Sequence, residues 1–367
     1  MPEAVTQLVI NGRFLQRPVT GVERFAVETL TALDQLLSVG ALPALSVELV
    51  VPKGTEPRVH FQNIPIKQVG RRQGHFWEQI DLPIYCGARR LVNLCNTAPI
   101  FKKNQIVVIH DAAVFSVPQA FSAGFRLAYK IIHMGLALVG ARILTVSEFS
   151  RQDLANHLPM VADRISVLPE SAEHLLRHQP DPAILARENL GSRPYVLAVS
   201  SMAAHKNFSL VLEALTLLDA PPFDVAIAGG GNAKVFGEGG KVASDRIKWL
   251  GYVSDSELRA LYEGAMCFVF PSIYEGFGIP PLEAMQCGCP VLAANAASIP
   301  EVCGDAAMYF DPRDAAQLAQ LLLSVADDHA LRETLRQKGL ARAKEFTWKQ
   351  VAQALVKQGR LLEGTAR

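Results

Sequence analysis

The chain has 367 residues, half of them hydrophobic and 19% charged, with a formal net charge of +1. That length is a prior for two domains, and the apolar fraction excludes a disordered or low-complexity chain. The near-neutral balance excludes a broad basic field for nucleic acid and an acidic tail. Cys86, Cys95, Cys267, Cys287, Cys289 and Cys303 form no C-x-x-C pair and no zinc spacing, which predicts reduced thiols serving as small core hydrophobes.

Glu3 stands where a basic n-region would be and no long apolar run follows, so no secretory signal is read and a cytoplasmic location is expected. Gln7 to Ile10 reads as a strand, and Val22, Phe25, Ala26, Leu30 and Leu33 as one helix face after it. Ser46 to Val51, Leu91 to Leu94, Ile106 to Ile109 and Ile143 to Val146 are further strands. Ile131 to Val146 is the most apolar stretch, but His133, Gly140 and Arg142 interrupt it. It predicts a buried helix running into a strand, not a membrane span. Ser147 then caps the next helix.

The polar stretch from Glu170 to Pro194 is the expected seam between domains. Beyond it, strands at Tyr195 to Ser200, Asp224 to Ala228, Arg246 to Leu250, Cys267 to Pro271 and Cys289 to Ala293 alternate with helical patterns. One such pattern follows Asn207 as N-cap, with Phe208, Val211, Leu212, Leu215 and Leu218 on a face. Alternation of this kind predicts βαβ units and parallel sheets. From Ala330 onward the pattern is helical and charged. Phe346-Thr347-Trp348 breaks it before a final helix that ends near Leu362.

The sharpest local signal is Pro271-Ser272-Ile273-Tyr274-Glu275-Gly276-Phe277-Gly278-Ile279-Pro280-Pro281-Leu282-Glu283-Ala284. A strand ends, a loop with two glycines follows, and a helix opens on proline and stops at Gly288. Amides of Gly276, Phe277, Gly278, Leu282 and Glu283 near a helix N-terminus would favour an anion, phosphate above all. Glu275 and Glu283 would repel a phosphate, so they are read as acceptors for hydroxyl groups. The plainer reading is a solvated loop charge at Glu275 and a helix-dipole partner at Glu283.

Other strand ends carry further candidates. Ser201, His205 and Lys206 precede the helix after Asn207, where Lys206 adds a full charge to the dipole; the plainer reading is a surface lysine. Gly229 and Gly230 permit close backbone approach to a ligand. In the first half, Gly21 opens a helix and His110-Asp111 ends a strand, where His110 is either a donor to substrate or a bonded loop histidine. Open α/β sheets bind ligands at such carboxyl ends.

This constellation resembles the family-four, group 1 glycosyltransferases. It does so through the E-x7-E pattern of Glu275 and Glu283, Lys206-Asn207, Leu250-Gly251-Tyr252-Val253-Ser254, and Thr145-Val146-Ser147. Trp77-Glu78-Gln79 and His110-Asp111 resemble members acting on bacterial surface polysaccharides, mannosyltransferases among them. The resemblance implies the GT-B fold: two Rossmann-like α/β domains facing across a cleft, with the C-terminal helix packing back on the first. The expected domains are 1–175 with 348–367, binding acceptor, and 176–347, binding nucleotide sugar.

By the same resemblance Glu275 meets donor-sugar hydroxyls and Glu283 the ribose. Lys206 holds the diphosphate with the Gly276 to Ile279 amides and the helix start at Leu282. Tyr252 and Val253 face the nucleobase, and Gly21 and His110 approach from the acceptor domain. Catalysis is assigned to Glu275, Lys206 and His110, with retention of anomeric configuration and neither metal nor cofactor. The chain has no Asp-x-Asp to hold a metal. Expected partners are a nucleotide sugar, GDP-mannose or a UDP-hexose, and a glycan or lipid-linked acceptor, with no nucleic acid. The basic pairs Arg71-Arg72, Arg89-Arg90 and Lys102-Lys103 suit peripheral contact with the inner face of a membrane. Arginine is frequent in the family where Ser201 and His205 stand, which places more of the neutralisation on Lys206. Leu168-Pro169-Glu170-Ser171 replaces the family's asparagine–glycine turn. Rival readings are an epimerase or hydrolase of the same fold and a non-catalytic sugar-nucleotide-binding assembly protein.

Overall fold

The computed structural model describes residues 5–159, 162–199, 203–229 and 246–361. The chain divides into two compact units: Met1–Glu170 with Trp348–Arg367, and Ser171–Thr347.

The first unit is built on a seven-stranded sheet, every pair parallel. Its strands are β1 (Thr6–Asn11), β2 (Leu45–Pro52), β3 (Ile66–Val69), β4 (Arg90–Asn93), β5 (Gln105–Val108), β6 (Arg142–Thr145) and β7 (Ile165–Val167), in the order β3-β2-β1-β4-β5-β6-β7. The central strands are apolar on both faces because helices cover both sides, as parallel sheets require. The helix Gly21–Ser38 buries Phe25, Ala26, Leu30 and Leu33 as the spacing predicts. The final helix, Trp348–Leu361, belongs to this unit: the Trp348 ring meets Phe25 edge-on at 5.9 Å, and the Arg360 guanidinium donates to the Pro43 carbonyl at 2.8 Å.

The second unit holds β8 (Tyr195–Val199), β9 (Asp224–Ala228), β10 (Ile247–Gly251), β11 (Cys267–Phe270), β12 (Val291–Ala294) and β13 (Ala307–Phe310), again all parallel, in the order β10-β9-β8-β11-β12-β13. Each sheet reverses its winding once, between β1 and β4 in the first unit and between β8 and β11 in the second. Loops diverge at those two points and leave a crevice at the carboxyl ends of the strands.

Three details depart from the expectations. The helix after Asn207 spans Phe208–Thr216 and stops before Leu218. Asn207 sits at its N-cap with φ +55° but makes no side-chain cap. The apolar stretch beginning at Ile131 lies in a helix, Ala123–Val139, closed by Gly140 in the left-handed conformation, and this helix is not buried all round. Its inner face holds Tyr129, Ile132, His133 and Leu136, while Leu127, Ile131 and Leu138 are exposed. The six cysteines are free thiols, and burial pushes the Cys267 and Cys303 thiols up to about 12.

Candidate active site

In the second unit the loops after β8 and β11 meet at the point where the winding reverses. Asn207 Nδ2 donates to the Pro271 carbonyl at 3.2 Å and to the Pro312 carbonyl at 2.8 Å. Its left-handed backbone turns the chain into the helix while its side chain fixes the neighbouring loop. The Ile273 amide donates to the His205 carbonyl at 2.9 Å, and Lys206 Nζ donates to Glu275 Oε1 at 2.7 Å. Lys206 and Glu275, 69 residues apart in sequence, thus form a partly exposed ion pair. An ammonium carries three N–H donors, so the bond to Glu275 leaves two for a ligand.

Below this pair the glycine loop is pinned from inside. Fully buried Ser298 Oγ reaches the carbonyls of Glu275 at 3.0 Å and Phe277 at 2.8 Å, sharing its one proton between them. Gly278 is the N-cap of the helix Ile279–Gln286 with φ +112°, a conformation that side chains rarely adopt. Because the helix starts at Ile279, Leu282 and Glu283 already lie inside its i to i−4 ladder. Their amides are therefore not open to an anion, contrary to the expectation. Pro280 and Pro281 supply no N–H, so the N–H groups at the helix start that lack an intrahelical partner belong to Gly278 and Ile279.

Glu283 is buried, and both carboxylate oxygens hold protein donors. His174 Nε2 donates to Oε1 at 2.9 Å, and the Tyr262 hydroxyl to Oε2 at 3.2 Å. Burial, reinforced by the Glu283 charge, raises the Tyr262 phenol well above its ordinary range, so it remains an O–H donor at neutral pH. Each oxygen keeps a second lone pair through which a ligand hydroxyl can add to the network. Neither His174 nor Tyr262 was singled out in the sequence, nor was Ser298. His174 lies in the stretch read as a seam, Ser298 in the turn that opens the short helix Ile299–Cys303, and Tyr262 inside the helix Asp255–Gly264. None of these positions carries a spacing signal.

At the ends of β9 and β10 the Gly229 amide donates to the Gly251 carbonyl at 2.7 Å, and Gly229 has φ +128°. Tyr252 follows β10 with 90% of its surface exposed, beside half-buried Val253. Ser201 and Gly230 lie outside the described residues.

The first unit places its own candidates differently. Gly21 is the exposed first residue of its helix, and Thr20 with Glu23 forms a capping box across it. His110 is buried and engaged at both ring nitrogens: Nδ1 lies 2.9 Å from Glu170 Oε1, and Nε2 lies 2.9 Å from the Leu94 carbonyl. Both partners are acceptors, so the two bonds are made together when the ring is protonated and each nitrogen carries an N–H. Of the two readings of His110, the structure shows the bonded histidine; contact with substrate requires one of these bonds to open. Glu170 replaces the asparagine–glycine turn seen in the family pattern, and its carboxylate is the histidine's partner. At the crevice between β1 and β4, buried Glu78 Oε1 accepts from Asn11 Nδ2 at 2.9 Å, Arg13 Nε at 3.1 Å and Thr97 Oγ1 at 3.0 Å. Its Oε2 lies 3.2 Å from Nδ1 of exposed His75.

Burial disfavours the His110 imidazolium, but the Glu170 bond and charge outweigh it, and the pKa is raised from the ordinary 6.5. A raised folded-state pKa gives stability that is complete below the unfolded value and lost as pH rises through the folded value. Thermal stability of the first unit is therefore expected to fall as pH climbs from about 6.5 through the raised His110 pKa. Glu170→Gln is expected to flatten that slope in melting curves taken across the range. A slope unchanged by the substitution would remove His110 as its source.

Residues 182–342 match the family described as glycosyl transferases group 1. The chain is 33% identical over 268 residues to O-antigen chain mannosyltransferase B of Escherichia coli, covering 70% of each chain. It is 26% identical over 324 residues to O-antigen chain mannosyltransferase RfbU of Salmonella typhimurium, covering 84% of this chain and 87% of that one. Among solved structures, sucrose-phosphate synthase from Thermosynechococcus elongatus superposes with a TM-score of 0.75 at 18% identity, over 98% of this chain and 100% of that one, which places the fold in the GT-B class. The paired parallel sheets, the tied loops at the β8–β11 crevice and these matches lead to one conclusion: the chain belongs to the group 1 glycosyltransferases.

Proposed function

We propose that the chain transfers a hexosyl residue from a nucleoside diphosphate sugar to a glycan or lipid-linked acceptor with retention of anomeric configuration. We take GDP-mannose to be the donor and surface polysaccharide to be the product. The observation that carries the reading is the Lys206–Glu275 pair, 2.7 Å apart at the crevice of the matched domain. It sets a cation for phosphate beside an acceptor for hydroxyls. The names of the two mannosyltransferase relatives support the sugar.

Loss of the diphosphate builds negative charge on its β-phosphate and oxocarbenium character at the anomeric carbon. Lys206 Nζ and the Gly278 and Ile279 amides are held by the fold before reaction, so they stabilise that charge without reorganising. Glu275 orients the sugar through its hydroxyls and keeps Lys206 in place. Glu283, fixed by His174 and Tyr262, accepts from the ribose. Tyr252 and Val253 at the end of β10 supply a surface for the base.

The test is an acceptor-dependent assay with GDP-mannose, UDP-glucose and UDP-galactose, with product configuration read by NMR coupling. Donor consumption that ignores the acceptor, or an inverted product, overturns the proposal. Offset of the diphosphate charge by Lys206 rather than a divalent cation gives a further expected result. Excess EDTA leaves transfer unchanged, and Lys206→Ala weakens GDP binding by about 10- to 100-fold in calorimetry, as loss of a charge-assisted bond does. Guanosine binding barely moves in the same variant. Recovery of transfer by added magnesium after EDTA would reverse the metal assignment.

A further inference from the structure

The motif Trp77-Glu78-Gln79 stands out in the sequence, and the donor site does not use it. In the fold its three side chains turn inward. The helix that opens at Gly74 widens to i to i+5 hydrogen bonding over Trp77–Asp81, a distortion common at functional sites. Trp77 Nε1 donates to the Val69 carbonyl at 2.9 Å, and Gln79 bonds the Ala98 carbonyl and the Ile100 amide, both at 2.9 Å. Asp81 accepts from the Arg71 and Arg72 amides at 2.8 Å. The segment is thus fixed against the end of β3 and the loop after β4.

Glu78 is the centre of that frame. Its Oε1 takes Asn11 at the end of β1, Arg13 just beyond it and Thr97 after β4, and Arg13 balances its charge. Burial disfavours the carboxylate, but the His75 bond and Arg13 outweigh it and hold the group below its ordinary range. Among the described residues its other oxygen meets only His75 Nδ1, at 3.2 Å. The His75 side chain is 47% exposed, so the contact adds little to stability.

What the contact does fix is the ring. An ionised carboxylate can only accept, so Nδ1 carries the proton and Nε2 of the neutral imidazole keeps its lone pair. Nε2 has no protein partner among the described residues. A carboxylate behind a histidine that leaves the far nitrogen open is the arrangement by which enzymes aim an imidazole at a ligand. No third His, Cys, Asp or Glu joins the pair among the described residues, so it suits a hydroxyl group rather than a cation.

Position says whose hydroxyl it is. Asn11, Arg13 and Thr97 lie where the strand order reverses between β1 and β4, at the carboxyl ends that hold ligands in open parallel sheets. Lys206 and Glu275, the groups for the donor, belong to the second unit, which leaves this crevice for the second substrate. We propose that His75, aimed by Glu78, accepts a hydrogen bond from a hydroxyl of the acceptor glycan and so helps to select it. Glu78 is then a positioning residue and His75 the contact. The inference rests on the transfer reading above and adds to it a residue on the acceptor side.

The test is steady-state transfer from the donor that the assay above selects, with acceptor varied at saturating donor and then the reverse. His75→Ala is expected to lower kcat/KM for the acceptor by about tenfold, as loss of one hydrogen bond does. The donor KM, nucleoside diphosphate binding and the melting point should stay at parental values. His75→Gln, whose amide can reach a hydroxyl, should recover part of the loss. In Glu78→Gln the side-chain carbonyl faces Arg13 and Asn11, which turns its NH2 towards His75 and forces Nδ1 to accept. The proton then sits on Nε2, and the acceptor defect should match that of His75→Ala although the histidine is present. Imidazole nitrogen chemical shifts in mildly alkaline buffer read the tautomer directly, Nδ1–H in the parent and Nε2–H in Glu78→Gln. Parental acceptor kinetics in His75→Ala overturn the inference and leave the transfer reading standing, as does an Nε2–H tautomer in the parent. A parent chain that transfers to no acceptor overturns the transfer reading, and the inference with it.

Discussion

Glu275→Ala is expected to lower transfer by about 10²- to 10³-fold, the range seen when one preorganised electrostatic contact is removed from a transition state. Two losses combine in this variant. The sugar loses its hydroxyl acceptor, and Lys206 loses the partner that holds Nζ 2.7 Å away over the crevice. Stability should hardly respond. The pair is partly exposed, so its loss costs up to about 1 kcal/mol. That corresponds to a fall of roughly 2–4 °C in the midpoint for a unit of this size. Ser298 grips the loop through backbone carbonyls, which the substitution leaves in place. Glu275→Gln retains a carbonyl acceptor without the charge and should fall between the two. Transfer near the parent rate by a folded Glu275→Ala protein would take this residue out of the site.

His174→Ala has the opposite signature: a large effect on stability from a residue that no spacing rule selects. The imidazole is fully buried and donates to Glu283 Oε1, so its removal strands one side of a buried carboxylate. Leaving an oxygen of a buried, charged carboxylate without its hydrogen-bond donor costs about 3 kcal/mol, against up to about 1 for a surface ion pair. At roughly 2–4 °C per kcal/mol the second unit should melt about 6–12 °C lower. Tyr262→Phe removes the other donor and should cost about 1–3 kcal/mol, since the phenol is buried with it. Denaturant melts of both variants decide the matter. An unaltered midpoint in His174→Ala would mean that the carboxylate is satisfied without the histidine.

The interior of the fold was legible because interior strands of a parallel sheet are apolar on both faces and stand out as β-branched runs. Val225 to Ala228 and Phe268 to Phe270 are of this kind. Three strands escaped: Ile66–Val69, Ile165–Val167 and Ala307–Phe310. Each is a sheet edge, short and covered less completely, so its residues need not be uniformly apolar. The site divides along the same line. Glu275, Gly278 and Lys206 sit in short contiguous patterns whose turn chemistry can be read directly. Ser298, His174 and Tyr262 act across gaps of 21 to 109 residues, and only the folded chain brings them to their partners. His110 shows a different limit. Its position at a strand end was readable, but Glu170, 60 residues later, decides where the ring is engaged.

The closing helix belongs to a unit whose other residues were all made before the second unit began. Trp348, Val351, Ala352, Leu355 and Val356 are buried, and the helix lies along Gly21–Ser38. During synthesis the ribosome therefore delivers the second unit whole while the first still lacks its apolar cover. The later half can reach its native state first, and the earlier half waits with an exposed core face, a natural substrate for holdase chaperones. A stop codon just after Thr347 would accordingly cripple the beginning of the protein rather than its end.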